Sequence, residues 1–342
     1  MMLNLLRELC SIYGTSGNEN GVAQYIVEKI KNIEGVTYHI DALGNVIVFK
    51  KGKNSPQRTV MLDAHMDEVG LIVLDADEKG FVKFATVGSI DEKVLLGRRV
   101  VVGEKLINGV IGLKPIHLLD EEAKKKLPSV NEMYIDIGAK DKAQAQEYVS
   151  PGDCAYFFSE FTVFGENKVK CRAIDDRFGC AAMLQLIQLP LEYDTWFSFS
   201  VQEEVGLRGA GVSSFSVNPD YAVIIEATTA ADIIGVEGGD RVCVQGEGPA
   251  ISFGDRTTLY NKELYKKAME TARAKGVKCQ LKTRIAGGNN AGAIHKSRSG
   301  VKVLTVSLPC RYIHSAASVA DLRDAEETVR FIRAVLPMLW ND

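Results

Sequence analysis

The sequence predicts an α/β protein with a small β-rich body inserted into it, and three observations predict this. Apolar periodicity switches repeatedly between the helical and the strand spacing. Residues 70–164 instead carry short β-rich runs separated by glycines, with no long helical pattern. Histidine and acidic side chains collect where predicted strands end, the edge at which open α/β sheets bind ligands. The expected division is therefore 1–69 with 165–342 for the α/β body and 70–164 for the insertion.

Along the chain, Val22, Tyr25, Ile26, Ile30 and Ile33 fall at helical spacing after a turn at Ser16–Asn18. Val36–Lys50 alternates around Gly44-Asn45 and predicts a hairpin. Thr59–Ala64 is a short buried strand with His65, Asp67 and Glu68 at its C-terminal end. In the insertion, Phe81–Val87, Arg98–Val102 and Val110–Leu113 predict strands, and the charged run Asp120–Lys126 is a helix candidate. After Cys171 the βα alternation resumes, with helices expected over Arg177–Gln188, Asn261–Lys275 and Ala320–Leu339. The accompanying strands are Trp196–Val201, Tyr221–Ile225 and Val301–Ser307.

Composition narrows the function. The chain has 342 residues, 46% hydrophobic and 25% charged, so it has the make-up of a globular protein rather than a disordered, collagen-like or coiled-coil one. Forty-one basic against forty-four acidic residues argue against general attraction to nucleic acid or an anionic membrane. The apolar runs are strand-sized, far short of the roughly 20 residues that span a bilayer. Asn4, Arg7 and Glu8 break the apolar run of Met1–Gly14, which argues against a secretory signal. Seven scattered cysteines, none spaced as CxxC, suggest neither a disulfide framework nor a thiolate zinc site, and a cytoplasmic location is expected.

The chemistry-bearing residues converge. His65-Met66-Asp67 closes one strand, Asp175-Asp176 precedes a helix, and Gln202-Glu203-Glu204 closes Trp196–Val201. Glu226 closes Tyr221–Ile225, and His314 follows the strand ending near Leu308. Each feature alone has an ordinary explanation: a lone histidine is usually a satisfied one, and paired acids usually sit in solvated turns or caps. Their joint delivery to one sheet edge is what points to function, and imidazole with carboxylate donors suits zinc, cobalt or manganese. Asp67 is placed to accept the far ring N–H of His65. His39 reads as structural, His117 has no acidic motif beside it, and His295 falls on the candidate helix Ala291–Lys296. The turn Gly287-Gly288-Asn289-Asn290 reads as a loop needing unusual backbone angles, ahead of a ligand cradle.

The stretches Asp63-Ala-His-Met-Asp-Glu-Val-Gly70, Ala173-Ile-Asp-Asp-Arg-Phe-Gly179, Gln202-Glu-Glu-Val-Gly-Leu-Arg-Gly209 and Arg311-Tyr-Ile-His-Ser315 occur in this order. In order, spacing and flanks they resemble the tetrahedral aminopeptidase family, over essentially the whole chain. That family comprises dinuclear-metal exopeptidases, including glutamyl and deblocking aminopeptidases, and some members carry the endoglucanase name. The resemblance implies a phosphorylase/hydrolase-like α/β/α catalytic domain with a mixed central sheet and an inserted PDZ-like dimerisation domain. It implies two divalent metal ions, with Asp175 bridging across a cis peptide to Asp176, His65 and Glu226 completing one ion, and Glu204 and His314 the other. Glu203 would be the general base acting on a metal-bridged hydroxide, and Asp67 the partner that orients His65. Peptide substrates, homodimers and hollow tetrahedral dodecamers follow from the same resemblance. Two positions depart from it: Glu226 stands where aspartate is frequent, and Asn289-Asn290 where Thr-Asp is frequent. The rival readings are an endoglucanase-type glycoside hydrolase and a non-catalytic oligomeric binding protein of the same fold.

Overall fold

The computed structural model describes residues 1–341. In chain order the elements up to the insertion are α1 (Met2–Ser11), α2 (Asn20–Ile30), β1 (Val36–Ile40), β2 (Val46–Lys50) and β3 (Val60–His65). The insertion carries β4 (Gly70–Ala76), β5 (Val82–Val87), β6 (Arg99–Val102), β7 (Ile107–Gly112), β8 (Tyr134–Asp136), α3 (Lys142–Tyr148) and β9 (Cys154–Phe157). There follow β10 (Thr162–Phe164), β11 (Lys168–Cys171), α4 (Ile174–Ile187), β12 (Thr195–Ser200), α5 (Arg208–Val217) and β13 (Tyr221–Thr229). The chain then adds β14 (Ala250–Ile251), α6 (Lys262–Ala274), β15 (Gln280–Leu281), α7 (Ala291–Ile294), β16 (Lys302–Arg311), β17 (Ser318–Asp321) and α8 (Leu322–Trp340).

One eleven-stranded sheet runs β1-β2-β12-β3-β13-β16-β17-β11-β10, with β14 and β15 branching from β16. Its centre, β12-β3-β13-β16, is parallel, while β1, β2, β17, β11 and β10 are antiparallel, so the sheet is mixed as expected. The central strands are buried on both faces, which is why they read as continuous apolar runs. Val60 and Leu62 of β3 join the core packed by α1, α2, α4 and α8, whereas the intervening Met61 joins the core packed by α5 and α7. Helices therefore cover both faces.

The strands β4-β5-β8-β7-β6-β9 close into an antiparallel barrel around its own core of Leu71, Val73, Val82, Phe84, Val100, Ile111 and Phe157. The chain leaves the large sheet for this barrel immediately after His65 and rejoins it at β10. The expected helix over Asp120–Lys126 is not formed; the run contains only a three-residue 3-10 turn, Ala123–Lys125. It offers no apolar face to bury, and without tertiary packing so short a helix is marginal. The insertion's described α-helix is instead α3, capped by Asp141, which accepts the Gln144 N–H at 2.9 Å.

Two further helices lie where sequence periodicity was silent, α1 and the glycine- and serine-rich α5. The α5 helix can form because Gly209 lets its backbone approach β12 closely: a Cβ there would lie 2.2 Å from Asn45 Oδ1 and 2.5 Å from Val201 O. No described helix is long and apolar enough to cross a membrane.

Candidate metal centre

Strand register assembles the site. In the parallel pairing of β3 with β12, His65 lies opposite Ser200, so the Gln202–Glu204 turn emerges beside it. In β13, Ile224 pairs with Asp63, which brings Glu226 level with the end of β3 on the other side. Glu226 does not close its strand as expected. It lies within β13, paired with Ser307, because the β13–β16 ladder continues to Thr229 and Cys310. Beyond β16, His314 turns back toward the sheet with a left-handed φ of 58°. Asp175 and Asp176, joined by a cis peptide, open α4 beneath them.

These elements bring His65, Asp175, Glu204, Glu226 and His314 together. Asp175 stands between the histidines: Oδ1 lies 3.3 Å from His65 Nε2, and Oδ2 lies 3.2 Å from His314 Nε2. Glu226 Oε1 is 3.5 Å from His65 Nε2, and Glu204 Oε1 is 3.3 Å from His314 Nε2. The other ring nitrogens are taken by main-chain carbonyls, His65 Nδ1 by Asp67 O at 3.0 Å and His314 Nδ1 by Ser89 O at 2.7 Å. With Nδ1 facing a carbonyl, Nε2 is the ring nitrogen turned toward the carboxylates, and it becomes a ligand atom on losing its proton. Donor atoms of His65, Asp175 and Glu204 lie within 4.8 Å of one another, as do those of His65, Asp176 and Glu226. Asp176 was no ligand candidate by sequence.

The Asp67 carboxylate lies beside the His65 ring and also serves other donors. Its Oδ1 is 3.3 Å from His65 Nδ1, farther than its own main-chain oxygen. Its main partners are the backbone N–H groups of Glu203 and Glu204, at 3.0 and 3.1 Å, and the Ser16 hydroxyl at 2.6 Å. The His65-Met66-Asp67 turn is fixed from behind by buried Arg177, whose Nε donates to Met66 O at 2.8 Å. Arg177 and Arg172 also pair with buried Glu68.

The charge balance is unusual. Among the described residues, no lysine or arginine pairs with Asp175, Glu203, Glu204 or Glu226. Burial, reinforced for both by the charge of Asp175, pushes Glu204 and Glu226 up to about 8. Burial likewise drives Glu203 well above the carboxylate range, against the pull of His65. Burial opposes charge on Asp175 too, but the two histidines hold it well below that range. His314 is raised to about 9, the Asp175 acceptor and the Glu204 charge outweighing burial. Glu204 Oε1 and Asp176 Oδ2 are buried yet accept no hydrogen bond. Crowded carboxylates, orphaned oxygens and two imidazole Nε2 atoms turned toward them together match what divalent cations require of their ligands.

A cavity of about 550 Å³ opens onto this cluster, lined by Asp175, Glu203, Glu204, Glu226 and His314 and also by Arg256 and Lys282. Sequence reasoning did not single out either cation. Lys282 is buried, with Nζ donating to Ala286 O at 3.1 Å, and burial lowers its proton affinity. Arg256 rides on a turn built by Asp255, whose Oδ1 accepts the N–H groups of Thr257 and Thr258, both at 2.8 Å. The Gly287–Asn290 turn packs on this loop. Gly287 takes the predicted left-handed φ, 66°, and a Cβ on Gly288 would lie 2.9 Å from Thr257. Asn289 and Asn290 are engaged away from the cluster: Asn290 Nδ2 donates to Asp63 Oδ2 at 2.7 Å, and Asn289 Nδ2 to Asp255 Oδ2 at 3.3 Å.

Comparison with known proteins gives a consistent result. The sequence profile described as M42 glutamyl aminopeptidase matches residues 44–331. A putative aminopeptidase of Acetivibrio thermocellus is 35% identical over 97% of each chain. A solved TET1 peptidase of Pyrococcus horikoshii, which can assemble into a tetrahedron or a large octahedral shell, is 34% identical with a TM-score of 0.85. The match covers 98% of this chain and 99% of that one. A Thermotoga maritima structure titled endoglucanase is 32% identical with a TM-score of 0.79, over 97% of this chain and 96% of that one.

Proposed function

The chain belongs to the M42 glutamyl aminopeptidase family, and from that premise we propose that it removes N-terminal residues from peptides with the help of two divalent cations. The observation that carries this reading is Asp175, whose two oxygens each face the Nε2 of a different histidine. His65 and Glu226 would hold one cation, Glu204 and His314 the other, with Asp175 across both; zinc, cobalt or manganese suits this donor set. Bound there, the cations would polarise the scissile carbonyl and acidify the attacking water.

The chain's own residues do the rest. Glu203, carried on the turn that Asp67 fixes, takes the proton of the attacking water and returns it to the leaving amine nitrogen. The carboxylates around the cavity attract the substrate's α-ammonium and so present the first peptide bond for attack. Arg256 and Lys282 line the same cavity, and among the described residues neither is in an ion pair, which supports a preference for an acidic first residue. The barrel within residues 70–164 is proposed as a dimerisation domain beside a catalytic body of 1–69 and 165–342. Further assembly into a tetrahedral dodecamer is proposed by analogy with the Pyrococcus horikoshii peptidase. Seven free cysteines support a reducing, cytoplasmic setting.

A glycoside hydrolase ordinarily needs two flanking carboxylates and gives His65, His314 and Asp175 no work. Metal analysis and a panel of aminoacyl and cellulosic substrates on one purified sample test the proposal. Two bound cations, release of N-terminal residues, and loss of that activity on chelation are expected. A fully metal-loaded sample that leaves every short peptide intact would overturn it.

A further inference from the structure

Three consecutive backbone N–H groups in the turn that carries Glu203 each end on a buried carboxylate. Gln202 donates to Glu19 Oε1 at 3.0 Å, Glu203 to Asp67 Oδ1 at 3.0 Å, and Glu204 to Asp67 Oδ2 at 3.1 Å. Glu19 is only 6% exposed, and its same oxygen also accepts the Gly17 N–H at 2.9 Å. It stands at the start of α2 but makes no side-chain cap there. Its carboxylate is spent across the molecule instead, on a turn 183 residues away in sequence. Burial raises its affinity for a proton, so a solvated or capping position would hold this acid more cheaply.

The turn needs such a restraint. Gln202 has a φ of 57°, a left-handed conformation uncommon for a residue with a Cβ. Releasing its N–H would leave that backbone free to relax toward ordinary angles, and the relaxation would swing the next residue, Glu203. Ser16, three residues before Glu19, donates to Asp67 Oδ2 at 2.6 Å, so the connection between α1 and α2 reaches the turn directly through Glu19 and indirectly through Asp67.

We infer that Glu19 is a positioning residue, whose carboxylate fixes the Gln202 N–H and thereby the direction in which Glu203 presents its side chain to the cavity. This rests on Glu203 being the proton-transferring group. It predicts that Glu19 acts on turnover and leaves cation binding alone, since it touches none of the five candidate ligands and Glu204, on the same turn, keeps its own N–H bond to Asp67.

The test compares Glu19→Ala and Glu19→Gln with wild type in the full, metal-loaded chain. It uses a chromogenic aminoacyl substrate together with bound-metal analysis and amide hydrogen exchange. Glu19→Ala is expected to lower kcat by about 10–100-fold with KM within about threefold and metal content unchanged. The segment 202–207 should exchange about tenfold faster. Glu19→Gln keeps a carboxamide oxygen for both N–H groups and is expected to restore kcat to within about threefold and exchange to the wild-type rate. Where Glu19→Ala is not recovered folded, Glu19→Asp replaces it: one methylene short of Gln202, it should show the same fall in kcat. An active wild type with unchanged kcat or exchange in Glu19→Ala, or a Gln variant as impaired as the Ala one, overturns this inference alone. A wild type that cleaves no peptide overturns the aminopeptidase reading, and this inference with it.

Discussion

Asp67 accepts the backbone N–H of Glu203 at 3.0 Å, while the same Oδ1 lies 3.3 Å from the ring of His65. One buried acid thus ties the strand end that carries a candidate ligand to the turn that carries the candidate base. Asp67→Asn offers one acceptor oxygen where three donors and a ring nitrogen now converge. It should cost about 10–100-fold in kcat/KM and weaken metal retention by a similar factor. Steady-state kinetics with a metal titration checks this, and wild-type values for both quantities would contradict it.

Separating base from ligands requires opposite readouts. Glu203→Gln should keep both cations and lose about 10²–10⁴-fold in kcat. His65→Ala and His314→Ala should each lower metal content, and Asp175→Ala should abolish binding at both positions. Elemental analysis beside turnover decides the matter: near-normal hydrolysis by the glutamine variant refutes the base, and unchanged metal in the alanine variants refutes the ligand set.

Under the proposed function, Arg256 and Lys282 would bear on selectivity and not on the chemical step. Arg256→Ala should lower kcat/KM for an N-terminal glutamate or aspartate by about 10–100-fold while changing neutral substrates by less than about threefold. Lys282→Met, which keeps the buried volume, should act in the same direction. Equal losses across acidic, neutral and basic substrates would show that neither cation reads the first side chain.

Outside the residues that line the cavity, Asp321 supplies a pH signature. Its fully buried side chain is opposed by desolvation, yet hydrogen bonds from Arg323 and Lys168 hold its pKa at about 2, below the ordinary 3.8. Its contribution to stability is therefore complete above about pH 4 and disappears as pH falls through about 2. Asp321→Ala also removes the N-cap of α8 and should cost roughly 1–3 kcal/mol at neutral pH. Asp321→Asn keeps an acceptor and should cost less. Denaturant unfolding across pH should show the wild-type advantage over the asparagine variant shrinking between pH 4 and 2; a gap that does not vary with pH would refute the assignment.

The central strands and the long helices were legible because burial on both faces, or on one helical stripe, writes itself directly into apolar spacing. His65 and the Glu203-Glu204 pair were legible for a related reason, since polarity begins abruptly where such strands stop. The same logic ended β13 too early: Glu226 is a charge within a strand, tolerated because cross-strand pairing with Ser307 continues past it. The α5 helix was hidden by its glycines and serines, of which Gly209 is the one that permits close contact with Asn45 and Val201. Lys282 and Arg256 gave no signal because their place on the cavity wall depends on loops whose mutual packing has no sequence period. Glu19 was hidden as an ordinary acid before a helix.

The His314 ring is steadied by the main-chain oxygen of Ser89, which belongs to the segment between β5 and β6 of the barrel. The smaller body is therefore no detachable module. Grafting a foreign barrel at the same junctions, or cutting it back to a linker, would remove the partner of His314 Nδ1 and leave that ring held through Nε2 alone, even with every strand of the large sheet intact. Exchanges between relatives should succeed only when the swapped piece brings a carbonyl back to that point in space.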